Sequence, residues 1–329
     1  MKQRGKILVS GGYAKSLINF RLPLLKSFRD RGLHVWTTAA DDESWITERL
    51  AGEDIQFRRA PVQRAGLNPL ADWRYLRFLR SLVAEVRPDI VLGYTHKAAI
   101  YSSLAAGRAR SFSIITGLGF AFMEGEKAVD LKRALARSVL SLLYKRSLRR
   151  NELTFFQNED DREEFVRRKL VTIDASFRVM GTGVDVNHYS FCPVRKQVGP
   201  IRFLCIARML RDKGIRELAE SLRILRSKEI DFEARLVGRF DPNPSGISRS
   251  EVEAWVKEKL FTYIPEQADV RELFQWCDVY VLPSYREGMP RTVLEALSTG
   301  RAVATTDAAG CRDTIKLNDG GGAGGNGLT

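Results

Sequence analysis

Glu287 to Glu295 reads E-G-M-P-R-T-V-L-E. An apolar run, Val279-Tyr280-Val281-Leu282-Pro283, precedes it, and a second, Ala302-Val303-Ala304, follows. The spacing predicts strand, tight loop, short helix, strand. Pro290 suits a first helical turn, where a missing N–H goes unnoticed. Gly288 lets backbone approach a ligand closely. One carboxylate is therefore expected in a loop at a strand's C-terminal end and the other in the helix behind it. In a parallel sheet that edge is where ligands bind. An ionised carboxylate accepts hydrogen bonds and never donates, which suits hydroxyl-rich ligands. For two glutamates alone, solvated charges on a helix face are the competing reading.

A second loop adds to the first. Ile206-Ala207-Arg208-Met209-Leu210-Arg211-Asp212-Lys213-Gly214 follows the apolar Phe203-Leu204-Cys205. Arg208 and Lys213 bracket a strand-to-helix connection. Arginine offers a planar fork to phosphate oxygens and lysine a point charge. The amides opening the next helix add partial positive charge. Together the two loops describe a pocket for a diphosphate joined to two sugars.

The 329 residues suffice for two domains of ordinary size, and 44% hydrophobic with 28% charged residues indicates a soluble globular protein. No apolar run approaches the roughly 18 residues of a membrane span. The N-terminus runs straight into a short strand, Ile7-Leu8-Val9, too short for a signal-peptide core. Cys192, Cys205, Cys277 and Cys311 form no C-x-x-C pair, so a zinc site or disulfide framework is not expected and a reducing cytoplasm fits. The net charge of +13 is uneven: residues 1–190 hold 32 Lys and Arg against 21 Asp and Glu, the remainder 21 against 19. The first half is thus expected to meet an anionic partner. No zinc-finger, RNA-binding or basic-zipper pattern supports nucleic acid.

Along the chain, strand-like and helix-like segments alternate. Lys6 to Ser10, Val35 to Thr38, Asp89 to Gly93, Ile114 to Thr116 and Thr154 to Phe156 read as strands. Leu17 to Arg31 and Trp73 to Arg87 read as helices, stopped by Gly32 and Pro88. Val179 to Asp185 reads as an exit strand, and the domain boundary is expected near residue 195. Further strands are expected at Arg202 to Ile206, Glu233 to Val237, Val279 to Leu282 and Ala302 to Thr305. Repeated β-α units imply parallel sheets with helices on both faces: an α/β chain with a domain over 1–190, a second over 195–315, and a flexible Gly-rich tail over 316–329.

Gly11-Gly12 after the first strand suits either a phosphate-admitting loop or a tight β-α turn, and the full G-x-G-x-x-G dinucleotide fingerprint is missing there. His96, in Tyr94-Thr95-His96-Lys97, stands at a strand's C-terminal edge. There it either contacts a sugar or moves a proton, or it is a surface cap on the next helix. His34 and His188 read as structural. Ala128 to Arg150 is a basic amphipathic helix with Leu131, Leu135, Val139, Leu140 and Leu142 apolar. Lys132, Arg133, Arg137, Lys145, Arg146, Arg149 and Arg150 supply cations suited to an anionic membrane surface. No D-x-D pair and no metal-ligand spacing appears, so Arg208, Lys213 and helix amides are expected to neutralise a leaving diphosphate without a metal or other cofactor.

This pattern resembles the retaining glycosyltransferases of family 4, with the GT-B fold. The match rests on R-M-L-R-D-K-G and P-S-Y-R-E-G-M-P-R-T-V-L-E-A. Other segments resemble the branch that builds bacterial surface polysaccharides and undecaprenyl-linked oligosaccharides: R-A-G-L-N-P-L (64–70), R-P-D-I-V-L-G-Y-T-H-K-A-A-I-Y-S-S-L-A-A (87–106), T-G-L-G-F-A-F (116–122) and F-F-Q-N-E-D-D-R-E-E-F (155–165). The resemblance implies two Rossmann-like domains facing across a cleft, the second truncated, since such proteins continue past the position of Cys311-Arg312-Asp313 with another strand and several helices. It implies that Arg208 and Lys213 hold a donor diphosphate, that Glu295 receives the ribose, and that Glu287, Gly288 and Met289 face the transferred sugar. Gly12 is implied near the phosphates and His96 near the acceptor. Pro265 departs from the glycine expected in the loop holding the base. The implied activity is metal-independent transfer of a sugar, from a nucleotide-diphosphate donor such as a UDP-sugar to a polyprenyl-diphosphate-linked saccharide, with retention. The implied setting is cytoplasmic, peripheral on the inner face of the plasma membrane. A GT-B epimerase acting on free nucleotide sugar and an inactive nucleotide-binding remnant are the rival readings.

Overall fold

The computed structural model describes residues 5–41, 43–63, 68–117, 131–195, 199–243 and 245–315, with the side chains of 131–137 outside the description. The chain divides into two compact units, 1–182 and 183–329. The division falls ahead of residue 195 because Tyr189 is buried with Leu204, Phe274 and Tyr280 of the second unit.

The first unit is built on a seven-stranded, wholly parallel sheet in the order β3-β2-β1-β4-β5-β6-β7. Its strands are β1 (Lys6–Ser10), β2 (His34–Ala39), β3 (Ile55–Arg59), β4 (Ile90–Tyr94), β5 (Arg110–Ile115), β6 (Asn151–Phe156) and β7 (Ser176–Arg178). Helices α3 (Pro69–Val86), α4 (His96–Ala105), α5 (Leu131–Leu148) and α6 (Glu159–Arg167) join one core, which holds Tyr75, Ile100, Tyr144 and Phe165. On the opposite sheet face, α1 (Leu22–Asp30) and α2 (Ser44–Ala51) pack with Ile7, Val9 and Leu92. Alternate residues of each strand thus feed two cores, as burial on both faces requires.

The second unit has a five-stranded parallel sheet in the order β10-β9-β8-β11-β12. Its strands are β8 (Ile201–Ile206), β9 (Phe232–Val237), β10 (Thr262–Ile264), β11 (Val279–Leu282) and β12 (Ala302–Thr305). The accompanying helices are α7 (Ile215–Ser227), α8 (Arg249–Lys257), α9 (Arg271–Trp276) and α10 (Arg291–Ser298).

Several local expectations change. The Leu17 to Arg31 helix opens as a π-turn over Leu17–Arg21, and α1 starts only at Leu22. Pro23 lacks the N–H that would close an α-turn onto residue 19. The exit strand is Ser176–Arg178, paired with β6, and not Val179 to Asp185. Gly181 and Gly183 both take positive φ, which turns that segment out of the sheet. Strands β3 and β10 escape the apolar pattern because one ends on Arg58-Arg59 and the other spans three residues before Pro265. The Gly-rich tail lies outside the described residues.

Candidate active site

In the second sheet the strand order reverses between β8 and β11. The loops leaving these neighbours must lie side by side at the C-terminal edge, the crevice where open α/β sheets bind ligands. Backbone contacts tie them together. The Tyr285 N–H donates to the Asp212 carbonyl at 3.0 Å. Gly214 takes φ +68°, and a Cβ there would lie 2.0 Å from the Pro283 carbonyl oxygen, so only glycine fits. The Glu287 N–H donates to the Ala309 carbonyl at 2.9 Å, which fixes the first carboxylate's backbone from the β12 side.

The charged side chains converge accordingly. Lys213 Nζ donates to Glu287 Oε1 at 2.7 Å, and Ser284 Oγ donates to the same oxygen at 2.8 Å. Lys213 is 12% and Glu287 18% exposed, so this pair is largely shielded from water. Arg208 turns instead to the loop after β9, where Nη1 donates to Asp241 Oδ2 at 2.9 Å, and it is half exposed. The expected Arg208–Lys213 bracket is thus present on one loop, with each cation resting on a different carboxylate. Gly288 and Met289 lie half-buried between Glu287 and Pro290, the N-cap of α10.

Glu295 is not a solvated helix charge: it is buried, with Arg291 one turn before it at 2.8 Å. Burial pushes its carboxyl above the usual range, against the pull of Arg291 and a hydrogen bond from Tyr189. A buried carboxylate so placed retains acceptor capacity for sugar hydroxyls.

The first sheet has its own reversal, between β1 and β4. Gly11 and Gly12 follow β1, and Thr95 and His96 follow β4. A Cβ on Gly11 would lie 2.2 Å from the Tyr94 hydroxyl oxygen, and one on Gly12 2.9 Å from Thr95 Oγ1. The two glycines therefore admit close packing of β1's loop on β4. Thr95 takes φ +69°, a strained setting for a β-branched residue. His96 is no surface cap. Its Nδ1 lies 2.7 Å from the Tyr144 hydroxyl of α5, and burial pushes its pKa down to about 4, so the imidazole is neutral near pH 7. Next to it, Lys97 Nζ donates to Asp72 Oδ1 at 2.7 Å.

In α5, Tyr144, Ser147 and Leu148 point inward, while Val139 and Leu142 are exposed beside Arg146. Val139 and Leu142 thus belong to the outer face and not to the packed one. Lys145 is half-buried, and Arg149 and Arg150 lie in the turn just past the helix. The side chains of Lys132, Arg133 and Arg137 lie outside the described residues, as do residues 64–67 and 118–122 of the resemblance segments.

Among the described residues no three His, Cys, Asp or Glu side chains stand close enough to hold a metal ion, and no helix is long and apolar enough to cross a membrane. The four cysteines are free. Asp241, Ser284, Arg291, Tyr189 and Tyr144 were invisible as partners in the sequence. Only Ser284, adjoining Pro283 in the signature loop, and Arg291, one turn from Glu295, carried a positional hint.

Two family models match the chain: "Glycosyl transferase 4-like domain" over residues 21–176 and "Glycosyl transferases group 1" over residues 200–325. Among curated proteins, the chain is 29% identical over 91% of its length to the N,N'-diacetylbacillosaminyl-diphospho-undecaprenol alpha-1,3-N-acetylgalactosaminyltransferase of Campylobacter jejuni, covering 80% of that protein. It is 24% identical over 92% of its length to the putative glycosyltransferase EpsD of Bacillus subtilis, covering 78% of it. Among solved structures, Anabaena HepE in complex with UDP and glucose superposes with a TM-score of 0.67 at 16% identity, over 95% of this chain and 83% of that one. Sucrose-phosphate synthase of Thermosynechococcus elongatus does so with 0.70 at 16%, over 93% and 82%. These superpositions establish the GT-B architecture of two parallel-sheet domains.

Proposed function

The chain belongs to the glycosyltransferases, joining a 4-like domain to a group 1 domain, and on that premise we propose that it transfers a sugar from a UDP-sugar to a polyprenyl-diphosphate-linked saccharide, with retention and without a metal. The observation that carries this reading is the Lys213–Glu287–Ser284 cluster at the β8/β11 reversal, with buried Glu295 on the helix behind it.

Lys213 and Arg208, with the amides opening α7, neutralise the donor's diphosphate. Arriving phosphate oxygens compete with Glu287 for the Lys213 ammonium, so donor binding frees the Glu287 carboxylate for the transferred sugar. Gly288 and Met289 offer backbone amides beside it. Glu295 accepts the ribose hydroxyls. In the transfer, the bond between the sugar's anomeric carbon and the diphosphate oxygen breaks. A bond to the acceptor hydroxyl forms on the same face, and the hydroxyl proton passes to the departing diphosphate. His96, neutral and oriented by Tyr144, hydrogen-bonds a sugar hydroxyl in this account and adds no charge.

The relative's undecaprenol-linked acceptor supports a lipid carrier here, and a UDP-bound neighbour supports the donor. Excess positive charge in residues 1–190 and the outer face of α5 suit an anionic membrane, so we place the enzyme on the cytoplasmic face of the plasma membrane. The test is UDP release from UDP-sugars by purified protein with a lipid-linked acceptor and excess chelator. Acceptor-dependent release with product retaining its anomeric configuration supports the reading. Turnover without acceptor assigns an epimerase, and no turnover with no UDP-induced thermal shift refutes an enzyme of this kind.

A further inference from the structure

Glu287 changes partners when a donor arrives. In the chain alone, two groups donate to one of its oxygens, Oε1: Lys213 Nζ at 2.7 Å and Ser284 Oγ at 2.8 Å. The incoming diphosphate draws the ammonium away. The carboxylate is 18% exposed, so with a sugar beside it water cannot fully replace the lost donor. A side chain released in this way would also lose its aim at the reacting centre. The Ser284 hydroxyl is a donor that a phosphate does not attract in the same way. It is neutral, fully buried and part of the same turn as Glu287.

That turn is clamped by a third loop, the one leaving β12. Strands β11 and β12 run parallel with Leu282 opposite Thr305, so both loops leave the same sheet edge. Thr305 Oγ1 donates to the Leu282 carbonyl at 2.7 Å, and Thr306 Oγ1 donates to the Ser284 carbonyl. At the other end of the turn, the Glu287 N–H donates to the Ala309 carbonyl at 2.9 Å. A Cβ on Gly310 would lie 2.3 Å from the Glu287 carbonyl oxygen, so backbone meets backbone there. Residues 306–310 thus fix both ends of the 284–287 turn.

We propose that Ser284 and Thr306 are positioning residues of the transfer. Ser284 keeps the Glu287 carboxylate aimed at the sugar once the diphosphate has taken Lys213, and Thr306 holds Ser284 in place for it. The inference rests on the donor reading above and adds how the carboxylate stays oriented after its cation leaves. It separates binding from turnover. With UDP alone, water fills the sugar's place and solvates Glu287, so the Ser284 hydroxyl matters little there. With a sugar in place it becomes the donor that orients the carboxylate.

The experiment is calorimetric titration of the full chain with UDP, UDP-glucose and UDP-N-acetylgalactosamine, joined to steady-state UDP release with a lipid-linked acceptor. Ser284→Ala should leave UDP affinity within about threefold of wild type and lower kcat at least about tenfold, as loss of one charge-assisted hydrogen bond implies. In a Glu287→Ala background Ser284→Ala should cost nothing further, because it acts through that carboxylate. Thr306→Val should lower kcat in the same direction, whereas Thr306→Ser, which keeps the hydroxyl, should stay within about twofold of wild type. Unimpaired turnover by Ser284→Ala overturns the proposal. So does an additive loss in the double variant, or UDP affinity falling in step with kcat, since either marks a purely structural role. If Ser284→Ala does not fold, the Thr306 pair decides, and equal turnover by Thr306→Val and Thr306→Ser overturns the proposal. A wild type that binds no UDP or turns over neither sugar nucleotide refutes the donor reading and this inference with it. UDP binding and turnover with an unimpaired Ser284→Ala sink this inference alone.

Discussion

Lys213 Nζ and Glu287 Oε1 lie 2.7 Å apart, although they come from loops that follow different strands, β8 and β11. Their meeting is a consequence of sheet order: β8 and β11 are neighbours in a parallel sheet, so both loops leave the same edge, and the reversal there opens a crevice between them. Removing the ammonium strips a shielded carboxylate of its neighbouring cation and deletes a phosphate contact. Lys213→Ala should therefore weaken UDP binding by about 1.5–3 kcal/mol and lower kcat/KM at least about tenfold. Glu287→Gln should leave UDP binding within about threefold while lowering kcat, because its partner in the complex is the sugar. Titration calorimetry and steady-state kinetics on the two variants separate these effects.

Gly214 holds the same pair of loops in contact. A methyl group there meets the Pro283 carbonyl at 2.0 Å and forces φ +68° on a chiral residue. Gly214→Ala should destabilise the second unit by more than the about 1–3 kcal/mol of backbone strain alone. Gly32, at φ +86° with open space around it, is the control, since Gly32→Ala suffers only the strain. Urea unfolding of both variants measures the contact by difference, and equal losses would count against it.

How much of this was legible beforehand follows from the range of each signal. The strand-loop-helix unit around Glu287 and Glu295 could be read because apolar runs, Gly288 and Pro290 act locally. So could the placement of Lys213 at a strand end. The pairing of Arg208 with Asp241, of Glu295 with Arg291 and Tyr189, and of His96 with Tyr144 depends on register and helix rotation, which residue type alone leaves open. Val139 and Leu142 show the same limit: apolar character suggested packing, yet helix rotation turned them outward and Tyr144 in. Strands β3 and β10 were hidden for a simpler reason, since short or charged edge strands lack an apolar run.

His96 gives a pH signature. Its pKa in the fold is about 4, below the roughly 6.5 of an unfolded chain. Between these values the unfolded state binds a proton that the folded state does not, so stability falls as pH drops from about 6.5 toward 4. It is flat with respect to this group above that window. The loss should reach up to about 3 kcal/mol. It should appear as the difference between wild type and His96→Gln in unfolding midpoints across pH 4–7. A difference independent of pH would show that His96 is not held neutral.

The outer face of α5 should matter to membranes and not to chemistry. Arg146→Glu and Leu142→Glu should each reduce binding to vesicles rich in anionic lipid, Arg146→Glu by roughly thirtyfold for about 1 kcal/mol per charge over two charge units. Both should leave turnover of a water-soluble acceptor analogue unchanged. Co-sedimentation at low and high salt checks the electrostatic part, because screening removes it.

The central claim is that the loops after β8 and β11 grip one nucleotide diphosphate, and a crystal structure of the chain with UDP tests it most directly. The account predicts the diphosphate within hydrogen-bond reach of Lys213 Nζ, with Glu287 Oε1 displaced from the ammonium and the ribose hydroxyls on Glu295. UDP bound elsewhere, or bound with the Lys213–Glu287 contact still at 2.7 Å and no phosphate oxygen near it, would contradict it.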